Sequence, residues 1–450
     1  MTSARSVTFA VGILKISGLR WYIVGFLFFA TVSNYIDRQT INVLSPLLIA
    51  ELGIDKIQFS WIAAVFLGAY TIGMTFWGRL HDRVGLLIGL GVCIAAWSLV
   101  ATLHVFVVGF ASLIVLRFLL GITEAGNWPA AAKIASEWFP PHERALAMGI
   151  FANGSGIGAM VAPPVIVFIQ QLYGWKATFL ITGAFGFVWL IGWLVIYRTP
   201  ENHRWVTAKE LAHIRARSVA LTPDAADNSN AKPPRFRQLL RHRQTWAIVA
   251  ARFIADPIWW IYLVWIPQYL FEARGFDLKQ ISLSAWLPFL GADLGAIAGG
   301  LVAAWMIRRR RWTINRARKT CCVLAVAVLP VGVLVPIVDS AFTALGLMTL
   351  VLFAYQFWVN NLQAIPGDVF PSRAVGGVFG LGGSAAGLSS LLVTLGAGWT
   401  AQHFSFTPVF IAAGLMGPLA AVALLLLVGR IPETPITIAE KSGPGAPAIS

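Results

Sequence analysis

The chain has 450 residues, 58% of them hydrophobic and 12% charged, with a mean hydropathy of +0.74. A soluble domain carries about twice that charged fraction, so a water-soluble globule is excluded, and the ten-residue segments of alternating polarity that mark a membrane barrel are not found. Apolar stretches of roughly 20 residues, each sufficient to cross a ~30 Å hydrocarbon layer as a helix, recur along the chain and predict an all-α integral membrane protein.

Twelve spans are expected, at 21–45, 57–78, 86–106, 109–136, 144–171, 177–197, 245–271, 281–306, 318–338, 343–367, 374–400 and 405–429. The net charge of +15 does not indicate a nucleic-acid partner. Lysine and arginine crowd into 198–243 and into IRRRRWTINRARK at 307–319, both beside apolar spans and without a stacking array of aromatics. Basic connections of this kind mark the cytoplasmic side. With twelve spans, connections 2–3, 4–5, 6–7, 8–9 and 10–11 then share that side with both termini. The opening MTSARSVTFAVGILKIS is broken by Lys15 and lacks a clear cleavage site, so 1–20 reads as a cytoplasmic segment rather than a removed signal. Cys93, Cys321 and Cys322 have neither disulfide nor metal spacing. No metal or cofactor is expected.

The polar connection 198–243 contains TPDAADNSNAKPP, a flexible linker by composition. It separates an N-terminal six-helix half, 21–197, from a C-terminal one, 244–430, followed by a cytoplasmic tail, 431–450. ERALAMGIFANGSGIG (143–158) aligns without a gap on SRAVGGVFGLGGSAAG (372–387), matching Arg144 with Arg373. Two pseudo-symmetric halves with a site between them describe a secondary transporter. Nothing requires more than a monomer in the bilayer.

The stretch SNYIDRQTINV (33–43) puts Asp37 and Arg38 inside the first span. A charge at the bilayer centre costs about 2.5–3.5 kcal/mol even on the mildest scale. Asn34, Arg38 and Asn42 share one helical face with Tyr35 beside it, whereas Asp37 points about 100° away. In the fourth span Arg117, Gly121, Glu124 and Trp128 form one stripe. At 1.5 Å per residue both arginines fall in the same outer half of the membrane, so two guanidiniums and two carboxylates are expected around one cavity. Guanidinium matches a carboxylate with two hydrogen bonds, which points to an organic anion. The alternative is an ion-pair network that only ties the two helices together. In FANGSGIGAMVAPP, Gly154 and Gly158 permit close helix packing, while Asn153 and Ser155 are candidates to face the cavity. On the tenth span Gln356, Asn360 and Gln363 follow one face, with Trp358 and Asn361 at its edge. Amides supply donors and acceptors for hydroxyl groups, or else bonds between helices. Arg252, Asp256 and Asp293 read as pairing or gating residues.

GRLHDRVG (78–85) resembles the G-x-x-x-D-R-x-G motif of the major facilitator superfamily, which includes Asp82 and Arg83. RFIADPIWWIYLVWIPQYL (252–270), LPFLGADLGAIAGG (287–300), NRARK (315–319) and GDVFPSRAVG (367–376) resemble the hexuronate branch of its anion:cation symporters. Two departures stand out: Leu86-Leu87 replace the usual basic residues after Gly85, and GGLVAAWMIRRRR lacks an Asp-Arg pair. The resemblance implies substrate roles for Tyr35, Arg38, Tyr70 and Arg117, and proton roles for Asp37 and Glu124. It implies proton-coupled symport of a sugar acid such as galacturonate or glucuronate, by alternating access in a bacterial inner membrane. The rivals are a carrier or exchanger for an aldonate, aldarate, dicarboxylate or aromatic acid, and a non-transporting sensor of the same fold. An enzyme is not expected.

Overall fold

The computed structural model describes residues 15–215, 234, 236–429 and 431. The segments 1–14 and 432–450 and most of the linker 216–235 lie outside the described residues, as does the side chain of Arg373.

The spans are α1 (Leu19–Val43), α2 (Lys56–Val84), α3 (Leu86–Phe106), α4 (Phe110–Trp138), α5 (141–173), α6 (175–196), α7 (Arg243–Arg274), α8 (Leu278–Arg308), α9 (Ile314–Leu334), α10 (Ala341–Val369), α11 (Ser372–His403) and α12 (Thr407–Val428). Among the described residues eleven apolar runs are long enough to cross a bilayer, and one of them, Leu146–Ile196, is two helices joined at Gly174. There φ is 81° and ψ is 167°, a backbone region that favours glycine. α5 runs alongside α1, with Gly154 near Phe28 and Gly158 near Tyr35, and α6 runs against it, with Trp189 bonded to Phe26 O. One glycine therefore reverses the chain.

Local signals set the helix ends. Asp55 and Gln58 form a reciprocal capping box at α2, as Asp277 and Gln280 do at α8. Gly53 and Gly275 end the preceding segments in the left-handed region.

Several helices deviate from the expected continuous spans. α1 stops at Leu44 and resumes as Ser45–Leu52 behind Pro46. α4 breaks at Ala125–Gly126, α7 at Asp256 before Pro257, and α8 at Ala285–Trp286. α9 starts four residues before the expected 318 and finishes as a 3-10 turn, Leu329–Leu334, where Pro330 precludes a regular α-helical ladder. The linker is also not wholly unstructured. Ala208–Arg215 is helical, and Glu210 accepts hydrogen bonds from Leu19 N (3.0 Å) and Arg20 N (3.2 Å), capping α1. Arg20 also pairs with Glu143 at 2.8 Å, so the start of α1, the start of α5 and this helix are tied together.

One apolar core lies within the N-terminal half, while the larger one runs through the C-terminal half and continues across the seam to Ile41, Leu44, Phe59, Ile62 and Ala162 of the N-terminal half. Between halves, α1 meets α7, α2 meets α11 and α5 meets α8. The polar contacts that join the halves cluster at the face opposite the basic connections. Lys56 Nζ pairs with Glu272 at 2.6 Å, Lys56 N donates to Gln402 Oε1, and Ser45 Oγ donates to Gln268 Oε1. Towards the basic face Asn153, Asn360 and Gln363 are exposed. Among the described residues, the polar contacts across the seam thus lie at one face.

The α1–α5 contact depends on bare backbone. A Cβ on Gly158 would stand 2.7 Å from Tyr35 Cβ and 2.9 Å from Val32 O. Gly158→Val is therefore expected to cost about 1–3 kcal/mol through overpacking. The expected readout is a lowered thermal midpoint in detergent by fluorescence-detected size exclusion, with Gly149→Ala, which meets nothing nearby, as the neutral control.

Candidate functional site

Arg38 lies deep in the N-terminal half, with only 4% of its surface exposed. Its Nε and Nη2 both donate to Glu124 Oε2, at 3.2 and 3.0 Å, and Nη2 approaches Asn34 Oδ1 at 3.4 Å. The guanidinium carbon sits over three aromatic rings, Tyr35 at 4.6 Å, Tyr70 at 4.8 Å and Phe66 at 5.0 Å. Cation–π attraction strengthens when the cation is removed from water, so this box compensates part of the burial cost. Tyr35 and Tyr70 come from α1 and α2, whose rings reach the same guanidinium from two sides.

Glu124 reaches Arg38 because α4 presses against α2. A Cβ on Gly121 would overlap Phe66 O, and α4 breaks one residue beyond Glu124. At the break, Gly126 O accepts from His81 Nε2 at 3.0 Å and Thr123 O accepts from Cys93 Sγ. The broken turn's carbonyls are thus satisfied by α2 and α3.

Arg117 is equally buried, yet its Nε and Nη2 have no hydrogen-bond partner. Both carboxylate oxygens of Asp37 are also buried without one, as are Glu124 Oε1 and Thr182 Oγ1. Arg117 and Asp37 are close enough to feel each other's charge but form no ion pair among the described residues. Buried polar atoms left unpaired are uncommon and call for a functional explanation.

Arg38 and Arg117 line one cavity with Ile41, Phe59, Ile62, Trp260 and Val264. Neither carboxylate lines it, which corrects the expectation of four charges around one space. The carboxylates stand behind the guanidiniums because Asp37 points round α1 towards α6 and Glu124 is held by Arg38. The cavity has about 20 Å³ of usable space, room for roughly one water molecule. Phe59 and Trp260, which line it, come from opposite halves.

The other candidates are distributed more widely. Ser155 Oγ bonds back to Ala152 O at 2.6 Å, while Asn153 is exposed one turn from Gly156. On α10 the amides divide. Asn361 is buried and donates to Gly299 O and Phe357 O, and Asn360 donates to Ala296 O, so both join α10 to α8. Gln356 is half-buried, Gln363 exposed, and Trp358 fully buried with its indole N–H unpaired. Arg252 and Asp256 pair at 2.8 Å, with Arg252 lying over Phe379 of α11. Asp82 pairs with Lys133 at 2.8 Å, and Arg144 closes the end of α4 by donating to Phe139 O and Ser136 O.

Several partners were not identified from sequence. Lys133 holds both Asp82 and His81 O. Arg318, within the NRARK motif, reaches Asp368 at 2.8 Å and Asn361 at 3.1 Å. His104 is fully buried, stacked on Phe179 at 5.0 Å and close to Arg117. Lys56 lies outside every expected pattern, because its partners come from the other half.

The chain matches the Major Facilitator Superfamily model over residues 27–392 and belongs to that superfamily, whose members are transporters rather than enzymes. It is 34% identical to the hexuronate transporter of Escherichia coli K12 over 421 residues, 93% of this chain and 96% of that protein. It is 37% identical to the galacturonate transporter of Dickeya chrysanthemi over 301 residues, 67% of this chain and 86% of that protein. In fold it is similar to a bacterial homologue of the human lysosomal transporter Spinster, solved inward-facing and unoccupied. That match has a TM-score of 0.67 at 15% identity and covers 92% of this chain and 96% of that one.

Because Glu124 is the ion-pair partner of Arg38, Glu124→Ala leaves a buried cation uncompensated. A loss of about 3–5 kcal/mol is expected, read as a large drop in thermal midpoint. The double replacement Arg38→Met/Glu124→Leu should recover most of it. A double variant as unstable as the single one would show that the pair is not the origin of the loss.

Proposed function

We propose that the protein takes up an anionic sugar acid, most directly a hexuronate such as galacturonate or glucuronate, in symport with protons by alternating access. The observation that carries this reading is the unequal state of the two buried arginines: Arg38 is neutralised by Glu124, while Arg117 has no hydrogen-bonded acid. A substrate carboxylate supplies the acceptor that Arg117 lacks, in the two-pronged geometry a guanidinium favours. The similarity to hexuronate and galacturonate transporters supports the choice of substrate class.

In the proposed cycle, Glu124 and Asp37 take protons from the outer aqueous phase. Protonation of Glu124 ends its ion pair and frees Arg38 to join Arg117 on the substrate. The halves then rock about the bound anion. Once substrate and protons leave on the inner side, Glu124 recaptures Arg38 and the empty carrier returns. Gln356, Gln363 and Asn153, whose amides remain outside the α8–α10 bonding, meet the sugar hydroxyls, and Trp358 covers the ring. The basic face lies in the cytoplasm of a bacterial inner membrane, with both termini and the 198–243 connection on that side. The functional unit is one chain.

The test is uptake of labelled galacturonate into proteoliposomes under an inward proton gradient. Glu124→Gln should abolish gradient-driven accumulation while retaining exchange of labelled for unlabelled substrate. Full accumulation by that variant would remove Glu124 from the proton role. Arg117→Lys, which loses the planar fork, should raise KM at least about tenfold, as expected when roughly 1.4 kcal/mol of binding is lost. A ligand-induced melting shift with a dicarboxylate, and none with uronates or aldonates, would overturn the substrate assignment.

A further inference from the structure

Asp293 stands at the midpoint of α8 (Leu278–Arg308), away from the arginine site and unused in the cycle above. It is the sole charged residue of that helix between Lys279 and Arg308. Its carboxylate faces α5 of the other half, where a Cβ on Gly156 would overlap Oδ1. The acid is therefore seated on bare backbone at the seam between the halves, half-buried and, among the described residues, without an ion-pair or hydrogen-bond partner.

The helices packed against it offer no counter-charge. α5 carries no charged residue from 145 to 172 and α10 none from 341 to 367. On α9, Arg318 is committed to Asp368, and Arg316 and Lys319 lie in its first turns near the basic face. The titratable side chains of these neighbours, Tyr355, Cys321, Cys322 and Tyr173, are ordinarily neutral at physiological pH. An acid so placed is costly when ionised, and membrane-embedded acids of this kind usually mark proton or ion pathways. The opposite face of α8, with Gly291, Gly295 and Gly299, is packed on α10, so α8 presents Asp293 to the moving seam rather than to its own half.

We propose that Asp293 carries a further transported proton, separate from those of Glu124 and Asp37, and that its protonated form seats against Gly156 as the α5–α8 seam closes. The proton enters as H⁺ from the outer phase, converts carboxylate to carboxylic acid, and leaves to the inner phase, with no other bond made or broken. Because Asp293 lies in the seam, its proton is coupled to the rocking of the halves rather than to the substrate carboxylate. This inference rests on the proton-coupled cycle proposed above and adds one proton to it.

The experiment uses the full chain in proteoliposomes with labelled galacturonate and the membrane potential clamped at zero. Net flux stops when the substrate ratio equals ten raised to the number of protons times the pH difference. With a difference of one pH unit, Asp293→Asn should lower that balancing ratio about tenfold, while exchange at equal pH remains measurable. Asp293→Ser should do the same if the amide variant is not monodisperse, and Asp293→Glu should restore the wild-type ratio. A wild-type ratio in Asp293→Asn or Asp293→Ser overturns the role of Asp293 alone. Wild-type uptake that ignores the pH difference, or follows sodium instead, overturns the proton-coupled cycle and this inference with it.

Discussion

The structure is organised around the cost of keeping a guanidinium away from water. Arg38 is held by Glu124 on one side and by the rings of Tyr35, Phe66 and Tyr70 on the others. The contacts with Glu124, Phe66 and Tyr70 require neighbouring helices to come close. α5 meets α1 through Gly154 and Gly158, and α4 meets α2 through Gly121. Gly121 thus lets α4 bring Glu124 up to the charge that α2 faces with two rings, while Gly158 lets α5 pack behind Tyr35. A larger residue at any of them would separate the helices before it disturbed the site chemically.

The same constraint makes the second arginine informative. Arg117 bears a comparable burial cost, but its neighbourhood does not settle it: Asp37 stands near without bonding, and the hydroxyl of Thr182 is also unpaired. One arginine is closed and the other open. A binding site needs both states, since a fully satisfied pair would have no reason to admit a ligand and two unsatisfied ones would be too costly to keep. The small cavity between Phe59 and Trp260 fits a carrier whose halves are drawn together at that face by Lys56 and Glu272.

Much of this could be read from the sequence, and the parts that could not have a common cause. Hydropathy located the twelve spans, and the helical repeat put Asn34 and Arg38 on one stripe, with Asp37 turned away. Periodicity treats a helix as unbroken, however, and so it missed the interruptions at Leu44, Ala125 and Asp256. Of these, the break after Glu124 matters most, because it changes what lies beyond the stripe. Pairings across helices, such as Lys133 with Asp82, Arg318 with Asp368 and Lys56 with Glu272, depend on which helices become neighbours, and a single helix's repeat does not encode that. Composition likewise read 198–243 as linker, since Ala208–Arg215 is short and polar and owes its order to Arg20 and the start of α1.

The reversal at Gly174 has a mechanical consequence. With a single residue between α5 and α6, and Trp175 anchored at once to Glu51 by a 2.5 Å bond, the two helices have no slack with which to slide past one another. α5, which meets Asp293 at Gly156, and α6, which carries Thr182 beside Asp37, are therefore held as one piece. The hairpin is thus a stiff unit with one arm resting on the opposing half and the other beside a buried acid of its own half.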